Sequence, residues 1–94
     1  MSYVTNYILT TMVNDGGAEA LPAHCVEVSD QSGGGKAMEV DVYLWAENYS
    51  EVITVQRMIA NIIWEYPEDV QLMVKGQYED LFTVWSLEDL EKEL

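Results

Sequence analysis

The sequence predicts an α+β domain, with a four-stranded, mainly antiparallel sheet, one main helix packed on one face and room for a short C-terminal helix. Three observations lead there. Ser2 to Val13 is rich in β-branched and aromatic residues, Lys36 to Ala46 alternates with period two, and Asn48 to Tyr66 carries an apolar stripe at helical spacing. The chain has 94 residues, enough for one core, so residues 1–94 are expected to form a single domain. Hydrophobic residues make up 49% and charged ones 22%, a balance that belongs to folded rather than disordered chains.

The first strand places Tyr7 and Leu9 on one face and Val4, Ile8 and Met12 on the other. A strand apolar on both sides is either central in its sheet or has something packed on each face. Asn14-Asp-Gly-Gly17 ends it, and the Asp-Gly and Gly-Gly steps are expected to supply the positive φ of a turn. Ala18 to Leu21 can make one helical turn before Pro22 breaks it. Val26 to Val28 reads either as a short strand or as an irregular cover over the core. Asp30 to Gly35 reads as a loop, and the following Lys36 does not complete a phosphate-binding motif of the G-x-x-x-x-G-K-[ST] type.

In the next strand Met38, Val40, Val42, Leu44 and Ala46 share a face suited to a core. Glu39, Asp41, Tyr43 and Trp45 share the other. That second face is either an exposed patch of aromatic anchors and negative charge, as at interface centres, or is covered by the first strand or a loop. The helix is expected to start at Asn48 with a capping-box-like Glu51 and to run to Pro67. Val52, Val55, Met58, Ile59, Ile62 and Ile63 form its apolar stripe, with Gln56 outside it. Val70 to Lys75 and Leu81 to Leu87 then make a hairpin across the Gly76–Asp80 turn, and Ser86 with Asp89 can cap a last helix.

Chemistry is sparse. One histidine, His24, adjoins the one cysteine, Cys25, and neighbouring strand residues point to opposite faces, which argues against a catalytic pair. One of each cannot close a zinc site, and no EF-hand spacing occurs among the carboxylates. The reading is therefore a protein that is not an enzyme, with no catalytic residues, no metal and no cofactor. A lone cysteine and the lack of an apolar run of ~20 residues fit a cytoplasmic protein that does not enter membranes.

Charge points to recognition instead. Seventeen Asp and Glu stand against four Lys and Arg, a formal net charge of −13. Such a chain is repelled by nucleic acid and by anionic membranes, and its natural partner is a basic protein. Glu39, Asp41, Tyr43, Trp45, Tyr78, Glu79, Asp80 and Trp85 are the candidate partner-binding residues.

The opening Met1-Ser-Tyr-Val-Thr-Asn6 and the later Trp64-Glu-Tyr-Pro-Glu-Asp-Val-Gln-Leu72 resemble a group of small bacterial and phage proteins. The two segments cover about a sixth of the chain, and the resemblance implies a bacterial or phage source without an activity or site residues to carry over. The expected function is that of an acidic, non-enzymatic binding protein docking onto a basic, nucleic-acid-binding type of protein, as an inhibitor, an immunity protein or a phage anti-defence factor of the anti-CRISPR kind. One alternative is a small-ligand or nucleotide binder that gathers Lys36, Arg57 or Lys75 beside the glycine loop. Another is a structural subunit that forms a homodimer through its sheet edge or aromatic face.

Overall fold

Strand β1 (Val4–Met12) sits at the centre of a five-stranded sheet, as its two apolar faces require. The computed structural model describes residues 3–28 and 40–92. The other strands are β2 (Val26–Val28), β3 (Val40–Asn48), β4 (Gln71–Gly76) and β5 (Thr83–Ser86), arranged β2-β3-β1-β4-β5 with every neighbouring pair antiparallel. The sheet has five strands rather than the four expected, because Val26–Val28 pairs with β3 as strand β2, with Val26 opposite Leu44 and Val28 opposite Val42. The α+β class, the antiparallel sheet, the main helix and the short C-terminal helix all agree with the sequence.

Helices α1 (Val52–Asn61) and α2 (Leu87–Lys92) cover one face of this sheet. They are joined there by 3-10 turns at Gly16–Ala20 and Pro67–Asp69. Tyr7, Leu9, Trp45, Leu72 and Val74 from the strands meet Val55 and Ile59 of α1 and Leu87 and Leu90 of α2 in one core. Leu9, Ile59, Leu72 and Leu90 are fully buried, each worth about 1.5–3 kcal/mol before conformational entropy is subtracted.

The face of β3 that turns inward is the reverse of the one its aliphatic residues suggested. Trp45 and Asp41 are buried and Tyr43 is half-buried, whereas Val40 and Leu44 are exposed. Ring burial decides it. Trp45 stacks on Tyr7 at 5.2 Å between centroids and 16° between planes, and two aromatic rings remove more apolar surface from water than a Val–Leu pair would. Asp41 is tolerated inside because it accepts a hydrogen bond from the Asn14 N–H at 3.0 Å. Asn14 itself carries the positive φ (61°) of the turn that follows β1, so Asn rather than the neighbouring glycines takes the left-handed position.

The main helix is shorter than its stripe implies at both ends. Asn48 is the last residue of β3, paired opposite Val4, and the strand ladder continues as the Tyr49 N–H donates to the Tyr3 carbonyl at 2.8 Å. Glu51 takes the N-cap position without a side-chain cap bond. At the far end Trp64 folds back so that its indole N–H donates to the Ile59 carbonyl at 3.0 Å, which also accepts the capping Ile62 N–H at 3.3 Å. In a continued helix Trp64 would lie about 140° round from Ile59, off the buried stripe. Ending the helix at Asn61 buries the indole instead and leaves Ile63 92% exposed; within the helix Gln56, expected outside the stripe, is buried.

Gly17 is buried beneath this folded-back indole. A Cβ there would lie 2.6 Å from Trp64 Cε3 and 3.0 Å from Ile62 Cγ2. Gly17→Ala is therefore expected to destabilise the fold by about 1–3 kcal/mol in urea unfolding. At Gly16 a Cβ meets only the mobile carboxylate end of Glu65, so Gly16→Ala should cost less, and equal losses at the two sites would contradict this packing.

The C-terminal hairpin and helix follow the sequence closely. Trp85 lies opposite Leu72 and Val84 opposite Met73, the faces expected from alternation. A reciprocal cap starts α2: the Ser86 N–H donates to Asp89 Oδ2 and the Asp89 N–H to Ser86 Oγ, both at 3.1 Å.

Candidate functional site

The residues singled out from the sequence fall into three different environments. Glu39 lies outside the described residues. Asp41, Tyr43 and Trp45 belong to the helix-covered face, where Asp41 and Trp45 keep 7% and 6% of their surface. They cannot anchor a partner there without opening the core. Trp85 is half-buried on the same face, packed against the core cluster. Tyr78, Glu79 and Asp80 are exposed on the turn after β4. There Tyr78 packs against Tyr3 at 5.6 Å, and Glu79 Oε1 accepts the Gly76 N–H at 2.6 Å. The set therefore does not form one contiguous surface.

A polar network closes one end of the core around Trp45. Its indole N–H donates to Glu47 Oε2 and Ser50 Oγ donates to Glu47 Oε1, both at 3.2 Å. Tyr7 Oη lies 2.6 Å from Ser50 Oγ. The one Ser50 hydroxyl proton already goes to Glu47, so Tyr7 must be the donor in that bond. Burial pushes the Tyr7 phenol above its ordinary value; a Ser50 hydroxyl turned to donate to the phenolate opposes the shift, and the Glu47 charge adds to it. Tyr43 is pushed up to about 12, by burial first and then by Glu27, Asp41, Cys25 and Asp15. Burial and the Glu27 charge likewise raise the Cys25 thiol. All three shifts keep these groups protonated at neutral pH, the opposite of what an activated nucleophile needs.

A second buried carboxylate has a structural task. Asp15 accepts from the Gly17 N–H (2.9 Å) and Glu65 N–H (3.1 Å) at Oδ1 and from the Tyr66 N–H (3.0 Å) at Oδ2. Burial raises its pKa, but the three backbone donors outweigh that and hold the carboxyl below its ordinary value. Asp15 thus ties the turn after β1 to the segment after α1.

No metal or anion site is assembled from the described residues. No group of three or more His, Cys, Asp and Glu among them is placed to hold a metal ion. Arg57 is exposed on α1 and Lys75 lies on the sheet face turned away from the helices, so these two cations do not converge. Lys36 lies outside the described residues. No helix of the described residues is long and apolar enough to cross a membrane.

Two surfaces remain. On the helix side a shallow hollow is lined by Pro67, Glu68, Ser86, Leu87, Glu88 and Glu91, with Asp69 and Asp89 alongside. Its nearby cation, Lys92, already pairs with Glu88 at 3.4 Å, the one ion pair among the described residues. The other surface is the open face of the sheet, where Val26, Val40, Leu44 and Val84 are exposed. Alternation put Val40 and Leu44 on one side, but nothing in a single strand says which side the helices will take. Compared with known proteins, the chain matches no family model, no curated protein and no solved structure.

Proposed function

We propose that this protein is a non-enzymatic binding protein whose acidic helix side docks onto a basic protein partner, in the manner of an inhibitor or immunity protein. The observation that supports the reading is the charge around the Pro67–Asp69 turn and α2. Glu68, Glu88 and Glu91 line one hollow, and among the described residues only Lys92 pairs with one of them. Carboxylates held close together without counter-charges repel one another, so a basic surface that displaces their counter-ions is favoured. Because the carboxylates are solvent-exposed, charge mainly speeds and steers the encounter, and Pro67 at the hollow supplies a little apolar contact.

The test is affinity capture from bacterial lysate at low and high salt, comparing the wild type with a Glu68→Lys, Glu88→Lys, Glu91→Lys triple variant. Basic proteins should be retained at low salt, released as salt rises, and bound at least about tenfold less by the variant. Capture that shows no bias toward basic proteins, or that the triple variant leaves unchanged, would remove this reading.

A further inference from the structure

The face of the sheet turned away from the helices carries an unbroken apolar row. Val26, Leu44, Ile8, Met73 and Val84 are cross-strand neighbours in that order, one from each of the five strands. Val26 is 62%, Leu44 38% and Val84 53% exposed. In the next row Val28 and Val42 adjoin Thr10, and beyond it Met12 lies opposite Val40, both exposed. Single exposed aliphatics are ordinary, but a contiguous stretch across a whole sheet marks a contact surface. None of the described strand positions on this face carries a carboxylate, although 17 of the chain's 94 residues are Asp or Glu. Lys75 is its one charge.

We infer that this face packs against the same face of a second copy, giving a dimer built as a two-sheet sandwich. Charge selects the occupant. A copy bearing −13 is repelled wherever carboxylates meet carboxylates, and the strands of this face let two copies approach with carboxylates, Glu68 and Asp69, only at the rim. Packed sheets sit about 10 Å apart and each helix layer lies about 10 Å beyond its own sheet, so the helix-side carboxylates end up roughly 30 Å apart. That is several times the screening length of about 8 Å at physiological salt. A basic partner, by contrast, finds no carboxylate on the described strand positions of this face and meets Lys75.

Size agrees with a reversible association. Strands about 4.8 Å apart with a rise of about 3.3 Å per residue give each face a flat footprint of roughly 500 Å², or about 1,000 Å² for the pair. This is the lower limit for specific interfaces. A twofold arrangement sets each face on its own copy and brings Ile8, on the central strand, close to the axis. Glu68 and Asp69 line a shallow hollow with Thr10, Met12, Val40 and Gln71 at one end of the face. Their repulsion across the rim is relieved by salt, so salt strengthens the dimer, whereas it weakens docking to a basic partner.

Sedimentation equilibrium of the full chain, from micromolar to millimolar concentration and at low and high salt, reads this directly. The expected result is a monomer–dimer equilibrium whose dissociation constant falls as salt rises. Leu44→Lys and Val84→Lys, both at exposed positions, should each raise that constant at least about tenfold. Glu19→Lys makes the same change of charge away from the face and should leave the constant unchanged or lower. If the lysine variants lose their native circular dichroism, Leu44→Thr and Val84→Thr replace them, with a smaller rise expected. A monomer at every concentration would overturn the proposal and leave the face to a different protein. A dimer indifferent to the substitutions would overturn it too, by placing the interface elsewhere.

Discussion

Replacing Trp45 with alanine is expected to lower the free energy of unfolding by about 3–5 kcal/mol. Trp45 is 6% exposed, stacks on Tyr7 and donates its indole N–H to Glu47. Alanine removes the ring, leaves a void beside Tyr7 and breaks one bond of the Tyr7–Ser50–Glu47 network. Against a total stability of about 5–15 kcal/mol for a domain of this kind, such a loss is severe. It corresponds to a fall in thermal midpoint of roughly 15 °C or more. Trp45→Phe keeps a ring against Tyr7 and should recover most of the loss, while the Glu47 carboxylate gives up one donor. Thermal and urea unfolding followed by circular dichroism measure both variants. A loss below about 1 kcal/mol for Trp45→Ala is the value typical of a surface site, and would return this residue to the candidates for partner contact.

The second large effect is expected at Asp15. Asp15→Ala leaves the N–H groups of Gly17, Glu65 and Tyr66 without their acceptor, and hydrogen bonds to a charged group contribute about 1.5–3 kcal/mol each. The three are not additive, and a loss of about 3 kcal/mol or more is the expectation. Asp15→Asn should lie between, because Oδ1 can still accept from Gly17 and Glu65 while the new amide group faces the Tyr66 N–H donor to donor. Removing a negative charge also eases repulsion in a chain of net charge −13, so Glu19→Gln, at an exposed position, serves as the charge control. The folded-state pKa of Asp15 lies below the ordinary 3.8. Its contribution is therefore complete above 3.8 and is lost as pH falls below 3.8 through the folded value. Wild type should lose stability on acidification in that window more steeply than Asp15→Asn, and parallel acid curves would contradict the assignment.

Local signals were legible in the sequence where one interaction decides the outcome. The central place of β1 followed from its two apolar faces, the hairpin from the short gap between two β-rich segments, and the α2 cap from the Ser86–Asp89 spacing. The ends of α1 were not, because Asn48 had a competing partner across the sheet in Val4 and Trp64 had one in the Ile59 carbonyl. Neither competitor is near in the pattern that periodicity reads. The inward face of β3 was undecided for a similar reason, since Val40, Val42 and Leu44 are as apolar as a core face. Only the presence of Tyr7 opposite Trp45 tips the choice. The lack of carboxylates at alternate positions of every strand was a usable sign that one side of the sheet is chemically unlike the rest of the chain. Asp15, by contrast, looks like any turn aspartate until Glu65 and Tyr66 are brought to it from 50 residues away.

The two outermost strands have a further consequence. β2 is three residues long and β5 four. Cross-β growth needs segments of about six or seven residues, so neither border of the sheet is long enough to recruit further chains into a fibril. Even at high concentrations, where sticky aliphatic surface would ordinarily invite runaway polymerisation, such brief borders disfavour open-ended filaments.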